Sequence, residues 1–231
     1  MNKRVVITGM GAVTPLGNDC HSFWRGLRSG ACGIAPIAAF DASGHQAKMA
    51  AEVRLDAAAY FPASELRKMD RFTLLALIAA DQALRDSGVN TENSDPERCA
   101  ALVSSGIGGM STIEREHSRG LERGFDRVSP LYIPMTIANI AAGRIAISSG
   151  FRGYAMAPIT ACAGGSNAIG DAMRLIRHGY ADIALCGGAE ACITPLTVGG
   201  FTAMKALSES ADSSRASIPF DLERSGFVIG E

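Results

Sequence analysis

No apolar run in this 231-residue chain approaches the ~18 residues needed to cross a bilayer as a helix. Residues 1 to 4, Met-Asn-Lys-Arg, lead straight into a short strand, without the long apolar region and small-residue cleavage site of a secretory leader. The expectation is a cytoplasmic protein with reduced cysteines. Charge is sparse: charged residues make up 19% of the chain, and 22 Lys and Arg against 23 Asp and Glu leave a net charge of -1. Such a balance gives no general attraction to nucleic acid or to a membrane, so an electrostatic partner must be read from local clusters. Cys20, Cys32 and Cys192 have no partner at a metal-like or CxxC spacing, and no metal is expected. No Lys-Ser or Lys-Thr follows Gly106-Ile107-Gly108-Gly109, which excludes a P-loop. At Gly9-Met10-Gly11 the third glycine of a dinucleotide fingerprint falls on Thr14, with Pro15 next. No cofactor is expected. Internal repeats, low-complexity tracts and linkers are also absent.

What is abundant is apolar surface. Hydrophobic residues are 47% of the chain and mean hydropathy is +0.14, which implies a face buried against something else. The length is ample for one large domain or two small ones. Everything else in the chain serves Thr160-Ala161-Cys162-Ala163-Gly164-Gly165, which lies between an apolar run ending at Ile159 and an amphipathic segment from Ser166 to His178. It reads as strand, tight turn and helix, with Ile169, Ala172, Met173 and Ile176 on one buried face and Gly179 as the stop. Cys162 then sits at the first turn of a helix, where unpaired backbone N-H groups and the dipole favour a thiolate, the attacking form. The glycines after it are expected to clear space for a substrate and to bring N-H groups to a developing oxyanion. The other five cysteines read as small buried hydrophobes or bystanders.

Around this centre the pattern predicts a strand at Val5-Thr8 and a helix capped by Asn18 or Asp19, carrying Phe23, Trp24 and Leu27 and ended by Gly30. Residues 31 to 60 read as irregular, with a short strand near Ala50 to Leu55. A long helix from Ser64 to Ser87 follows, with Arg67, Lys68 and Arg71 in its first turns. Those cations are either a solvated face or a docking patch for an acidic partner. A strand spans Cys99 to Ser105, a polar stretch with His117 spans Ser111 to Ser129, and Pro130 and Pro134 bracket a turn. A helix of small residues, suited to close packing against another helix or subunit, is expected over Met135 to Ser149. A strand from Ala181 to Cys186 completes a βαβ unit around Cys162.

Seven ordered blocks carry a family resemblance across the whole chain: V-V-I-T-G-M-G-A-V-T-P-L-G-N at 5 to 18, R-K-M-D at 67 to 70, S-G-I-G-G at 105 to 109, T-A-C-A-G-G at 160 to 165, G-G-A-E at 187 to 190, G-F-x-A-x-x-A-L-S at 200 to 208, and P-F-D-x-x-R-x-G-F-V-x-G-E at 219 to 231. The chain resembles the β-ketoacyl-acyl-carrier-protein synthases, nearest to the type II elongating subgroup of bacterial fatty acid synthesis. The resemblance implies an α/β, thiolase-like layered fold of two similar halves, each a mixed five-stranded sheet with helices. Residues 1-231 would be the N-terminal thiolase-like domain, with the C-terminal half absent.

By the same resemblance Cys162 is acylated from a carrier-protein thioester, and a malonyl thioester then decarboxylates and attacks the acyl group. Ile107 is implied in the acyl pocket, with Tyr132 and Ile133 reaching it from a dimer partner. Arg67, Lys68, Arg127 and Lys205 are implied in docking the acidic acyl carrier protein, and a homodimer is implied. The family's two catalytic histidines, its lysine and a second oxyanion-hole amide belong to the other half. His178 is no substitute, since the predicted helix puts it about 24 Å from Cys162. The fragment alone is therefore expected to lack condensation activity. Ala163-Gly164 is closer to the initiating type III synthases, and a polyketide ketosynthase or a non-catalytic chain-length factor are further readings. The chain-length factor typically loses the cysteine that this chain keeps.

Overall fold

The computed structural model describes residues 4-231. In chain order its elements are α1 (Cys20–Arg28), β1 (Ala35–Pro36), β2 (Met49–Ala50), α2 (Ala63–Leu66), α3 (Arg71–Ser87), β3 (Cys99–Ser104), α4 (Met110–Arg123), α5 (Tyr132–Thr136), α6 (Ile140–Ser149), β4 (Ala155–Met156), α7 (Gly164–Arg177), β5 (Ile183–Gly188) and α8 (Pro195–Ala203). The chain forms two units, one of residues up to Gly11 together with Ala57–Glu190, the other of Ala12–Asp56 and Ala191–Glu231.

The first unit is built on a three-stranded parallel sheet in the order β4-β3-β5. All six residues of β3 are buried, as befits a central parallel strand covered on both faces. Ala100 and Leu102 share a cluster with Ala168 and Ala172 of α7 and with Ala181. Successive side chains alternate across a strand, so Cys99, Ala101 and Val103 face the other way, and α6 packs on β3 as well. Helix α3 packs in turn on α6 and buries Phe72 through Ile78 and Ala80.

Several expected boundaries move, each for a local reason. The helix expected from Ser64 is two. Asp70 breaks it, because its carboxylate, 3% exposed, accepts from the backbone N-H of Phe72 at 3.4 Å and of Thr112 at 2.9 Å. Gly88, at φ 68°, ends α3 as expected. The polar stretch after Ser111 is a helix, α4, whose buried stripe is Thr112, Glu116 and Gly120. Glu116 accepts from Ser129 N at 2.8 Å, and that bond, ahead of Arg115 and Arg119, holds its carboxyl below the ordinary range. The helix expected over Met135 to Ser149 is likewise split into α5 and α6, and the latter turns Ala141, Ala142 and Ile145 inward within its own unit.

The strand before Cys162 is only Ala155–Met156, since Pro158 has no N-H to continue a ladder. On α7 the buried face is Gly164, Ala168 and Ala172, one step round from the face expected, and Ile169 (51% exposed) and Met173 lie at the surface. Small residues four apart let the helix approach the sheet closely. Val5-Thr8 forms no ladder, and Val6 and Ile7 are exposed. The segment is fixed instead by glycines: a Cβ on Gly11 would lie 1.8 Å from Ala79 O on α3. Met10 N also donates to Asp86. The main sheet of this unit therefore has three parallel strands among the described residues, where the half-fold pattern implied five in a mixed sheet.

The second unit pairs β1 with β2 antiparallel and adds single bridges at Ala51 with Gly230 and Leu207 with Phe227. Of the two caps the sequence offers, Asp19 is the one used, and it forms a capping box with Ser22, but Trp24 and Leu27 are exposed. The strand expected over Ala50 to Leu55 shortens to Met49–Ala50 and the Ala51 bridge. Phe201 on α8 meets Phe227 edge to face at 5.4 Å. No helix among the described residues is long and apolar enough to cross a membrane.

Candidate active site

Parallel strands bring their carboxyl ends to one edge, and three loops meet there. The loop after β4 carries Cys162 in a 3-10 turn, Ala161–Ala163, that runs directly into α7. Ala161 has φ 49°, a left-handed conformation that a residue with a Cβ adopts at a cost of about 1–3 kcal/mol. The consequence is a sharp elbow with the Cys162 side chain exposed at its tip. Asn167, in the first turns of α7, donates its amide to Thr160 Oγ1 at 2.5 Å and so spans the elbow.

The two glycines after the cysteine have a packing role. A Cβ on Gly164 would stand 2.0 Å from Ser104 Oγ, and a Cβ on Gly188 would stand 3.2 Å from Gly165 Cα. The space of a Gly164 side chain is occupied by the end of β3, where the sequence suggested an opening for substrate, whereas a Cβ on Gly165 would meet only ordinary contacts, the nearest at 3.6 Å from Gly188 N. Burial pushes the thiols of Cys186 and Cys99 up, which keeps them protonated and inert.

The loop after β3, Ser105 to Gly109, carries Ile107, which is 39% exposed. Gly109 N donates to Thr136 O at 3.1 Å, and a Cβ on Gly108 would meet that carbonyl at 2.5 Å. This seats the loop on α5, the helix that also carries Tyr132 and Ile133. Tyr132 is half-buried and Ile133 is exposed.

The loop after β5 supplies a residue whose role went unread in the sequence. Glu190 accepts from Ser105 Oγ at 3.1 Å and from Gly106 N at 2.7 Å. Its only signal was position, at the end of G-G-A-E beyond an apolar strand.

Of the basic residues, Arg67 and Lys68 lie exposed in the link between α2 and α3, and Arg127 is exposed in the 3-10 turn Phe125–Arg127. Lys68 is paired with Glu65 at 2.8 Å, and Glu65 also takes Arg144 at 2.9 Å. Those two cations, Lys68 first, hold the Glu65 carboxyl low. Lys205 is exposed at φ 56° in the second unit. In the unit of Cys162, His117 lies against Phe125 and His178 stands at the far end of α7.

Residues 2–231 match the family model described as "Beta-ketoacyl synthase, N-terminal domain". The chain belongs to the β-ketoacyl synthases. A curated relative, the 3-oxoacyl-[acyl-carrier-protein] synthase 2 of Synechocystis, is 45% identical over 99% of this chain and 56% of its own length. The chain thus spans about half the length of the curated synthase it matches. Among solved structures, a β-ketoacyl synthase from Burkholderia phymatum superposes with a TM-score of 0.84 at 29% identity, covering 99% of this chain and 57% of that one. A ketosynthase solved with its type II polyketide acyl-carrier protein and bound to a hexaketide superposes with a TM-score of 0.75 at 25% identity, covering 88% of this chain and 55% of that one. The thiolase-like fold of the synthase family is therefore that of this chain.

Proposed function

We propose that the protein works as a 3-oxoacyl-acyl-carrier-protein synthase of fatty acid elongation in the cytoplasm, with Cys162 as its nucleophile. The observation that carries this reading is the exposed cysteine on a strained elbow at the carboxyl edge of a parallel sheet, in a chain of this family. In the proposed reaction the Cys162 thiolate attacks the carbonyl carbon of an acyl-carrier thioester. A sulfur-carbon bond forms as the bond to the carrier sulfur breaks, the carrier leaves as a thiolate that takes up the proton Cys162 gave up, and the chain rests on the enzyme. The backbone N-H of Cys162 is one donor to the oxyanion of that step. Malonyl thioester then loses carbon dioxide, and its carbanion displaces Cys162 to give a 3-oxoacyl chain two carbons longer.

Residues 1-231 act in this reading as the N-terminal domain, and the groups that hold the malonyl carbonyl come from a second half. Ile107 lines the acyl pocket, Tyr132 and Ile133 reach it across a homodimer, and Arg67, Lys68, Arg127 and Lys205 dock the acyl carrier protein. Charges of that kind at a rim raise association rate more than affinity. The test is intact-mass analysis after incubation with an acyl thioester and, separately, with an epoxide electrophile of the cerulenin type, followed by peptide mapping. A single adduct on Cys162 supports the reading, and labelling scattered over several cysteines overturns it.

A polyketide ketosynthase is the second reading, favoured by the likeness to the hexaketide-bound enzyme. It shares the nucleophile and differs in product: repeated malonyl additions on one chain without intervening reduction would favour it.

A further inference from the structure

Acyl transfer as written makes no use of the polar relay at the carboxyl edge of the sheet. Ser105, 2% exposed, donates through Oγ to one Glu190 oxygen at 3.1 Å, while Gly106 N donates to the other at 2.7 Å. Gly108 N donates to Ser105 Oγ at 3.0 Å. These three bonds pin the backbone on both sides of Ile107. The contact is close as well: a Cβ on Gly106 would lie 2.8 Å from Glu190 Oε2. Beyond it Gly108 and Gly109 press on α5. Within Gly106-Ile107-Gly108-Gly109 the one side chain is that of Ile107, and it is partly exposed on the edge that carries Cys162.

We propose that Glu190 is a positioning residue which, through Ser105 and Gly106, fixes Ile107 as the apolar wall that decides which acyl chains the site accepts. The inference rests on the acyl-transfer reading above. A wall selects by shape only when it is held: a mismatch of one methylene in a fitted apolar pocket is worth ~10- to 200-fold, and a wall free to swing forfeits part of that factor. A carboxylate suits the task because it accepts two bonds at once and offers no competing donor to the N-H groups around it.

The experiment compares the full chain with its Glu190→Gln and Ser105→Ala variants. Rates of Cys162 acylation are measured with hexanoyl and palmitoyl thioesters of N-acetylcysteamine. The Cys162 thiolate takes the acyl carbon as the thioester bond breaks, and N-acetylcysteamine leaves as a thiolate that takes up the proton Cys162 gave up. Alkylation by iodoacetamide, which needs no acyl pocket, reads the thiol itself, and the melting temperature reads the fold. Expected is a chain-length preference in the parent that falls about tenfold in both variants, with the iodoacetamide rate unchanged.

Retention of the parent ratio in both variants overturns the proposal. So does a uniform slowing of all three reagents with a lowered melting temperature, because that marks a merely structural contact. Parent acylation without length preference overturns the role of Glu190 while acyl transfer stands. Failure of both thioesters to acylate parent Cys162 overturns the acyl-transfer reading, and this inference with it.

Discussion

At the amino end of the parallel sheet Arg98 lays its guanidinium on the carboxylate of Asp182 and donates to Gly179 O at 3.1 Å, fastening the start of β3 to the start of β5. At the carboxyl end the fastening of the same two strands is Glu190, set on a buried hydroxyl and a backbone N-H. The first clasp joins two charged side chains that are 38% and 49% exposed, so water and salt weaken it. The second joins a half-buried carboxylate to a buried hydroxyl and an exposed backbone N-H, with no opposite charge in the clasp. Beside it stand the left-handed Ala161 and the exposed Cys162. The strained Ala161 and the accessible sulfur thus lie at the carboxyl end, while close glycine contacts occur at both ends, since a Cβ on Gly153 would lie 2.7 Å from Cys99 O at the start of β3.

Replacing the nucleophile tests that separation most severely. Cys162→Ala is expected to abolish acylation while leaving the melting temperature where it was, because the change removes one sulfur at an exposed position. A variant that unfolds would make the cysteine structural and erase the contrast between the two ends. Intact mass after thioester treatment, paired with thermal unfolding, decides.

Leu102 lies between the ends, wholly buried in the middle of β3. Leu102→Ala leaves a cavity against α7 and is expected to destabilise the chain by about 2–5 kcal/mol in denaturant unfolding. An effect under about 1 kcal/mol would mean that the sheet and α7 collapse around the gap, which the small residues Ala168 and Ala172 leave little freedom to do.

Legibility in the sequence followed the same division. The buried strand β3, the half-buried strand β5, and α7 as a helix, were readable because they are apolar runs or periodic segments bounded by glycine. Helix α4 was not, since its buried stripe is Thr112, Glu116 and Gly120, and hydrophobic periodicity has nothing to register there. The break at Asp70 was hidden because its cause, the Thr112 N-H, lies 42 residues away. Cys162 was legible from a purely local pattern of turn, glycines and helix. Glu190 was invisible as a clasp for the converse reason: its partners Ser105 and Gly106 are 85 and 84 residues distant, and only the parallel register of β3 with β5 brings them together.

Gly164→Ala sharpens the comparison further, because two effects oppose. Alanine is the better helix former by ~1 kcal/mol, and Gly164 has an ordinary helical φ of -55°. Against that, the new Cβ meets Ser104 Oγ at 2.0 Å and Ser104 Cβ at 2.9 Å. Overpacking of this kind costs about 1–3 kcal/mol, so a net loss of stability is expected. Adding Ser104→Ala removes the nearer clash and is expected to recover part of the loss. Absence of any recovery would mean that the elbow, and not the contact with β3, rejects the methyl group.

The smallest effect belongs to the amino-end clasp. Arg98→Ala is expected to leave both the reactivity of Cys162 and its acyl preference untouched and to lower the melting temperature only slightly. The reasons are that the pair is open to solvent and that β3 and β5 remain joined by their ladder from Cys99 with Ile183 to Ser104 with Gly188. The small stability difference is also expected to shrink as salt rises, since the Debye length falls from about 10 Å at 0.1 M to about 3 Å at 1 M. Thermal unfolding of the parent and variant across that range reads it. If Arg98→Ala instead altered the acyl-length ratio as Glu190→Gln is expected to, the sheet would transmit strain from one edge to the other, and the carboxyl edge would not be a separately fastened wall.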